Sequence, residues 1–140
     1  MAVVLDTSVV VAFMNRRDDD HARTSAWIET AEEDLITTPL VVAEIDHLVS
    51  HGGGSAAALA FYEDLASGAY LVEWWQEAMF ETVEAARSHQ VLGLGLADAS
   101  LLALAARLET TRIATLDERH FRIVKPLTGQ AAFVLLPPDA

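Results

Sequence analysis

The stretch Ala2-Val3-Val4-Leu5-Asp6-Thr7-Ser8 decides how the rest of the chain is read. Its apolar residues run without polar alternation, as in a strand covered on both faces, which predicts a strand over 2–5 with Asp6 at its carboxyl end. Thr7 or Ser8 then caps a helix to about Asn15, followed by an exposed loop over 16–20. Outward from there the pattern repeats. Strands are expected over 35–38, 69–74, 112–116 and 132–136. Helices are expected over 21–33 with Ala22, Ala26 and Trp27 inward, from Pro39 to about Ser50, over 55–66, over 76–89 with Met79, Phe80, Val83 and Ala86 inward, and over 97–108. Gly52, Gly53 and Gly54 stop the helix that Pro39 opens. Strands separated by helices imply a parallel sheet with helices on both faces, a three-layer α/β/α sandwich, whose ligand lies beyond the carboxyl ends of the strands.

The chain has 140 residues, 52% of them apolar, enough to close a core in one domain spanning 1–140. It has no cysteine, so disulfides and thiolate metal sites are excluded and a cytoplasmic location is expected. Asp6 and Asp98 interrupt the longest apolar stretches well short of a bilayer span, and no basic region precedes the first apolar run, so neither a membrane segment nor an export signal is expected. Net charge is −12, and residues 24–86 hold twelve acidic and no Lys or Arg side chains. A uniformly basic nucleic-acid face is therefore excluded. Arg16, Arg17 and Arg23 near the Asp6 end, with Arg119 among the later basic residues, are the candidates for gripping phosphates, against a solvated-loop alternative.

Four carboxylates stand out. Asp6 and Asp117 each follow an apolar run at a strand's carboxyl end, although Asp6 also serves as a turn residue and Asp117 as a cap for the short turn 118–121. Glu44 lies four residues after Leu40 and four before Leu48, which places it on an apolar helical stripe where an unpaired charge is costly. Asp98 precedes Leu101 and Leu102 by three and four residues, toward the core side of its helix, though a first-turn acid also suits the helix dipole. If the four meet, unit charges ~4 Å apart repel by about 4 kcal/mol at an effective dielectric of roughly 20. Either some stay protonated or a divalent cation neutralises them, and oxygen ligands select Mg2+ or Mn2+ over zinc. That chemistry suits phosphodiester hydrolysis. Ser8 and Thr115 sit where their hydroxyls could aim the carboxylates, as well as serving as a cap and an ordinary strand residue.

With these residues assembled, the chain resembles the PIN-domain ribonucleases, and among them the VapC-type toxins of bacterial toxin–antitoxin pairs. The resemblance rests on Val3-Val4-Leu5-Asp6-Thr7-Ser8, Pro39-Leu40-Val41-Val42-Ala43-Glu44, Leu96-Ala97-Asp98-Ala99-Ser100 and Ala114-Thr115-Leu116-Asp117-Glu118-Arg119-His120-Phe121. It implies a metal-dependent endoribonuclease that is commonly dimeric and is inhibited by a cognate VapB-like antitoxin. Carried over by motif, Asp6 and Asp98 correspond to the core metal ligands, Glu44 to a ligand or water positioner, and Asp117 to a ligand of a second ion or an outer group. The stretches 40–48 and 110–121 most resemble toxins that cut the sarcin–ricin loop of large-subunit ribosomal RNA, with transfer RNA the other substrate class.

Rival readings fare worse. Gly93-Leu94-Gly95-Leu96-Ala97-Asp98 puts an acid where a dinucleotide loop needs its third glycine. A haloacid-dehalogenase-like phosphatase needs a second aspartate where Ser8 stands. A non-catalytic module offering its acidic middle to a basic partner does not explain the four-acid alignment. Trp27, Trp74 and Trp75 read as core or dimer contacts rather than base-stacking groups, and His120 as a turn or capping residue.

Overall fold

The computed structural model describes residues 2–140. Five strands form one parallel sheet in the order β3-β2-β1-β4-β5: β1 (Ala2–Leu5), β2 (Asp34–Thr37), β3 (Leu71–Val72), β4 (Arg112–Ala114) and β5 (Val134–Leu136). Val4 sits at the centre, beside Ile36 of β2 and Ile113 of β4. The helices are α1 (Thr7–Met14), α2 (His21–Thr30), α3 (Pro39–Ser67), α4 (Ala78–Ser88), α5 (Leu96–Arg107) and the short α6 (Glu118–Phe121). From β1 the chain winds to β2 and β3 in one direction, then returns past β1 to β4 and β5. Because such crossovers are right-handed, the reversal puts α1–α3 on one face and α4 and α5 on the other, giving the expected three layers. It also opens a crevice between the carboxyl ends of β1 and β4, where the two windings part. Val3, Val4, Leu5, Ile113, Leu101, Leu102 and Leu104 are fully buried between the layers. No helix among the described residues is long and apolar enough to cross a membrane.

Several expected boundaries shift. The helix expected over 21–33 stops at Thr30, because Glu32, Glu33 and Asp34 would crowd negative charge at its negative end. Its inner stripe is Thr24, Trp27 and Ile28, spaced three and four apart, whereas Ala22 and Ala26 face solvent. The strand expected over 69–74 shrinks to Leu71–Val72, an edge with a neighbour only in β2. In α4 the buried residues are Ala78, Thr82 and Ala85, not Met79 and Phe80, which are exposed, while Val83 and Ala86 are half-buried. Close packing of α4 on α5 takes the small residues and turns the large ones outward.

The glycine stop after Ser50 is a fold-back rather than an end. Gly54 has φ +71 and ψ −165, open to glycine alone, and splits α3 into two arms. A Cβ on Gly53 would come within 2.6 Å of the Ala57 Cβ, so the bend also requires a bare backbone there. Tyr62 on the second arm donates to Asp46 on the first at 2.8 Å.

Candidate active site

The crevice at the switch between β1 and β4 carries the acids. Asp6 follows β1 and is 4% exposed, and its backbone N–H continues the sheet by bonding the Ala114 carbonyl. Its carboxylate does not cap α1. Oδ2 instead accepts from the Thr115 hydroxyl at 2.7 Å and from the Ser8 hydroxyl at 3.0 Å. Those hydroxyls are fixed in turn, since Ser8 Oγ accepts from the Leu116 N–H and Thr115 Oγ1 from the Asp117 N–H. Neither Thr7 nor Ser8 caps α1 as expected: the Ser8 hydroxyl, like that of Thr115, is turned to the Asp6 carboxylate. Burial pushes the Asp6 carboxyl above its ordinary range despite these hydrogen bonds, with a further push from Glu44.

Asp98 enters from the first turn of α5. Its pKa is pushed up to about 7, first by burial and then by the charges of Asp6, Asp117 and Glu44, with His120 opposing. Asp117 follows the turn after β4 and does cap α6, accepting from the His120 N–H through Oδ1. Its Oδ2 faces His120 Nδ1 at 3.0 Å, and that nitrogen lies 3.7 Å from Asp98 Oδ2.

Glu44 requires a correction. The buried stripe of the first arm of α3 is Val41, Ile45 and Val49, one position on from the Leu40–Glu44–Leu48 row. Glu44 is exposed, and with Leu48 it forms a wall of the crevice, so it meets the other acids from solvent and bears no burial cost. The misreading arose because this arm is apolar on more than one side.

Joined to Glu44 and Leu48 around the crevice are Asp6, Ser8, Val11, Asp18, Asp20, Leu96, Asp98 and Asp117. Asp18 and Asp20 went unnoticed in the sequence, since a loop offers no periodicity. None of the lining residues is Lys or Arg. Arg16 and Arg17 are exposed on the α1–α2 connection, Arg23 is paired with Asp20 at 2.8 Å, and Arg119 is exposed on α6. The tryptophans lie outside the crevice wall; Trp75 is buried under the Arg107 guanidinium, 5.0 Å from its ring centre.

A second unforeseen link crosses the layers. The Val41 N–H donates to Thr38 Oγ1, that oxygen lies 2.7 Å from Ser100 Oγ, and Ser100 donates to the Ala97 carbonyl. The starts of α3 and α5, which carry Glu44 and Asp98, are thereby pinned together.

Asp98, Asp117 and His120 bring donor atoms within 4.8 Å of one another, and Asp6 and Glu44 line the same crevice outside that group, a donor chemistry that fits a hard divalent cation. Comparison with known proteins agrees. Residues 3–126 match the PIN domain, and the chain is 37% identical over 138 residues to Ribonuclease VapC26 of Mycobacterium tuberculosis, covering 96% of this chain and all of that one. This chain belongs to the PIN-domain family, in its VapC ribonuclease branch. Similar PIN folds include VapC20 of Mycobacterium tuberculosis, described as a sarcin–ricin-loop-cleaving toxin, with TM-score 0.74 and 20% identity over 79% of this chain and 86% of that one. VapBC2 of Rickettsia felis, solved bound to a DNA fragment from its promoter, gives TM-score 0.64 and 16% identity over 96% and 97%. PIN nucleases work with a divalent metal ion.

Proposed function

We propose that this PIN domain, acting as one catalytic unit over 1–140, is a Mg2+- or Mn2+-dependent endoribonuclease toxin. The observation that carries the reading is the convergence of Asp6, Glu44, Asp98 and Asp117 on one crevice that no basic side chain lines. Asp6 and Asp98 are the main ion ligands. Glu44 and Asp117, lining the same crevice, complete the set, and Ser8 and Thr115 hold Asp6 in its rotamer. An ion held there would supply charge stabilisation at the scissile phosphate and a water of lowered pKa for the attack. Leu48, Leu96 and Val11 line the crevice beside the carboxylates. Arg16, Arg17, Arg23 and Arg119, around rather than inside the crevice, take the flanking phosphates of the RNA.

The substrate is structured RNA, with the sarcin–ricin loop of large-subunit ribosomal RNA the first choice on the resemblance of stretches 40–48 and 110–121, and transfer RNA the second. The protein works in the cytosol as a homodimer and is silenced by a cognate VapB-like antitoxin, whose basic side chains would meet the acidic surface of residues 24–86, a stretch with twelve acidic and no Lys or Arg side chains. Purified protein incubated with ribosomes and with transfer RNA tests this reading. Discrete cuts that appear with Mg2+ or Mn2+ and stop with EDTA are expected; cutting that continues in chelator overturns it.

A further inference from the structure

We propose that His120 is a nitrogen ligand of the divalent ion, acting through Nδ1 beside Asp98 and Asp117 and biasing the site toward Mn2+ over Mg2+. The inference rests on the metal-dependent reading above and adds a ligand that the four-acid pattern does not contain.

Three observations converge. One donor atom each from Asp98, Asp117 and His120 lie within 4.8 Å of one another, the one such group found among the described residues. Donors around an octahedral ion at ~2.1 Å are about 3.0 Å apart when adjacent and about 4.2 Å apart when opposite. His120 Nδ1 lies 3.0 Å from Asp117 Oδ2, the spacing of adjacent ligands, and 3.7 Å from Asp98 Oδ2, between the two limits. The arrangement is also built rather than incidental. His120 sits in the four-residue α6 and Asp117 caps it, the Asp117 carboxylate bonding both the backbone N–H and the ring of His120. Arg122, at the end of that turn, is held by Glu118 and by Asp139, which itself accepts from the Leu135 N–H of β5, so the turn is fastened to the sheet. Finally, the side chain is only 20% exposed and aims its nitrogen at the two carboxylates rather than at solvent.

The ion would take the place of the proton between Nδ1 and Asp117 Oδ2. Asp6, whose carboxylate already accepts from two hydroxyls, and Glu44, lining the same crevice, would complete the coordination with water or substrate oxygens. Mg2+ favours all-oxygen surroundings, whereas a mixed nitrogen and oxygen site is one that transition metals take up, Mn2+ being the weakest binder of that series. The histidine therefore sets metal preference.

The test is electron spin-echo modulation of Mn2+ bound to the full-length protein without RNA, prepared with histidine at natural abundance and with 15N-histidine, alongside calorimetric Mn2+ and Mg2+ affinities. Nitrogen modulation that shifts with the label is expected in the wild type. In His120→Gln it should vanish while Mn2+ still binds, and the ratio of Mn2+ to Mg2+ affinity should fall about tenfold. Mn2+ that binds without histidine modulation, or modulation unchanged in His120→Gln, overturns the inference and leaves the nuclease reading standing. Failure of the wild type to bind either ion overturns both.

Discussion

The two ends of the parallel sheet handle negative charge in opposite ways. At the amino ends, Glu33 before β2 meets Arg112 at the start of β4 at 2.6 Å, both side chains largely sheltered, and hydrogen bonds to its own backbone and to Arg112 hold its carboxyl below the ordinary range. At the carboxyl ends, Asp98 sits among Asp6, Asp117 and Glu44 with no guanidinium or ammonium in the crevice wall, and its pKa rises to about 7. The same residue class beside the same strands is stabilised at one end and left under strain at the other. An acid paired with arginine serves the fold, and acids left unpaired await something from outside.

The sharpest way to break this contrast is to remove charge from the strained end. Asp6→Asn and Asp98→Asn should each lower RNA cleavage by about a thousandfold or more while leaving the apo protein at least as stable as the wild type, because each relieves repulsion. Cleavage assays alongside thermal unfolding check both halves. An Asp98→Asn protein that cuts at the wild-type rate removes that residue from the site.

The next effect is on stability. Folded apo protein keeps a proton on Asp98 up to about pH 7, whereas the unfolded chain releases it near the ordinary value of 3.8. This contribution is fully present below that window and is lost as pH rises through it, costing about 2 kcal/mol between roughly pH 5 and pH 8 after allowance for partial solvent access. Glu33 works with the other sign: its contribution stands above the carboxylate range and fades only on acidification through it. Chemical denaturation of apo protein at the two pH values should show the loss, and Mn2+ should remove most of it.

Smaller again is the effect of loosening Asp6. Thr115→Val or Ser8→Ala removes a donor that opposes the upward push on Asp6 and frees the carboxyl to turn, so cleavage should fall about tenfold, with a modest loss of melting temperature from the backbone N–H left without its hydroxyl partner. At the paired end, Arg112→Met should cost about 1 kcal/mol of stability and leave cleavage unchanged. A drop in activity there would show that the two ends are coupled.

How much of this was legible in the sequence follows from how local each signal is. Val3-Val4-Leu5-Asp6 and Ile113-Ala114-Thr115-Leu116-Asp117 announced buried strands, because an apolar run without polar alternation marks a strand covered on both faces, though pairing in β4 stops at Ala114 and the acids at the run ends had turn and cap readings as well. The helix phases were less readable. The first arm of α3 has apolar residues on several sides, so Glu44 was set on the buried face when Val41, Ile45 and Val49 occupy it. In α4, Phe80 is 70% exposed while Thr82 is fully buried, an inversion that depends on how near α5 lies and that no property of α4 alone reveals. Asp18 and Asp20 reach the crevice from a loop, and His120 joins Asp98 across 22 positions of chain; tertiary approach of this kind leaves no periodic trace.

The buried hydroxyl pair of Thr38 and Ser100 has a consequence for motion. It bolts a helix from one layer to a helix from the other at their amino ends, away from water, so the jaws bearing Glu44 and Asp98 cannot part by sliding of the layers without breaking a sheltered bond. Breathing should therefore be greatest at the exposed β3 rim. Amides near the bolt should be among the last in the molecule to trade their hydrogens for deuterium.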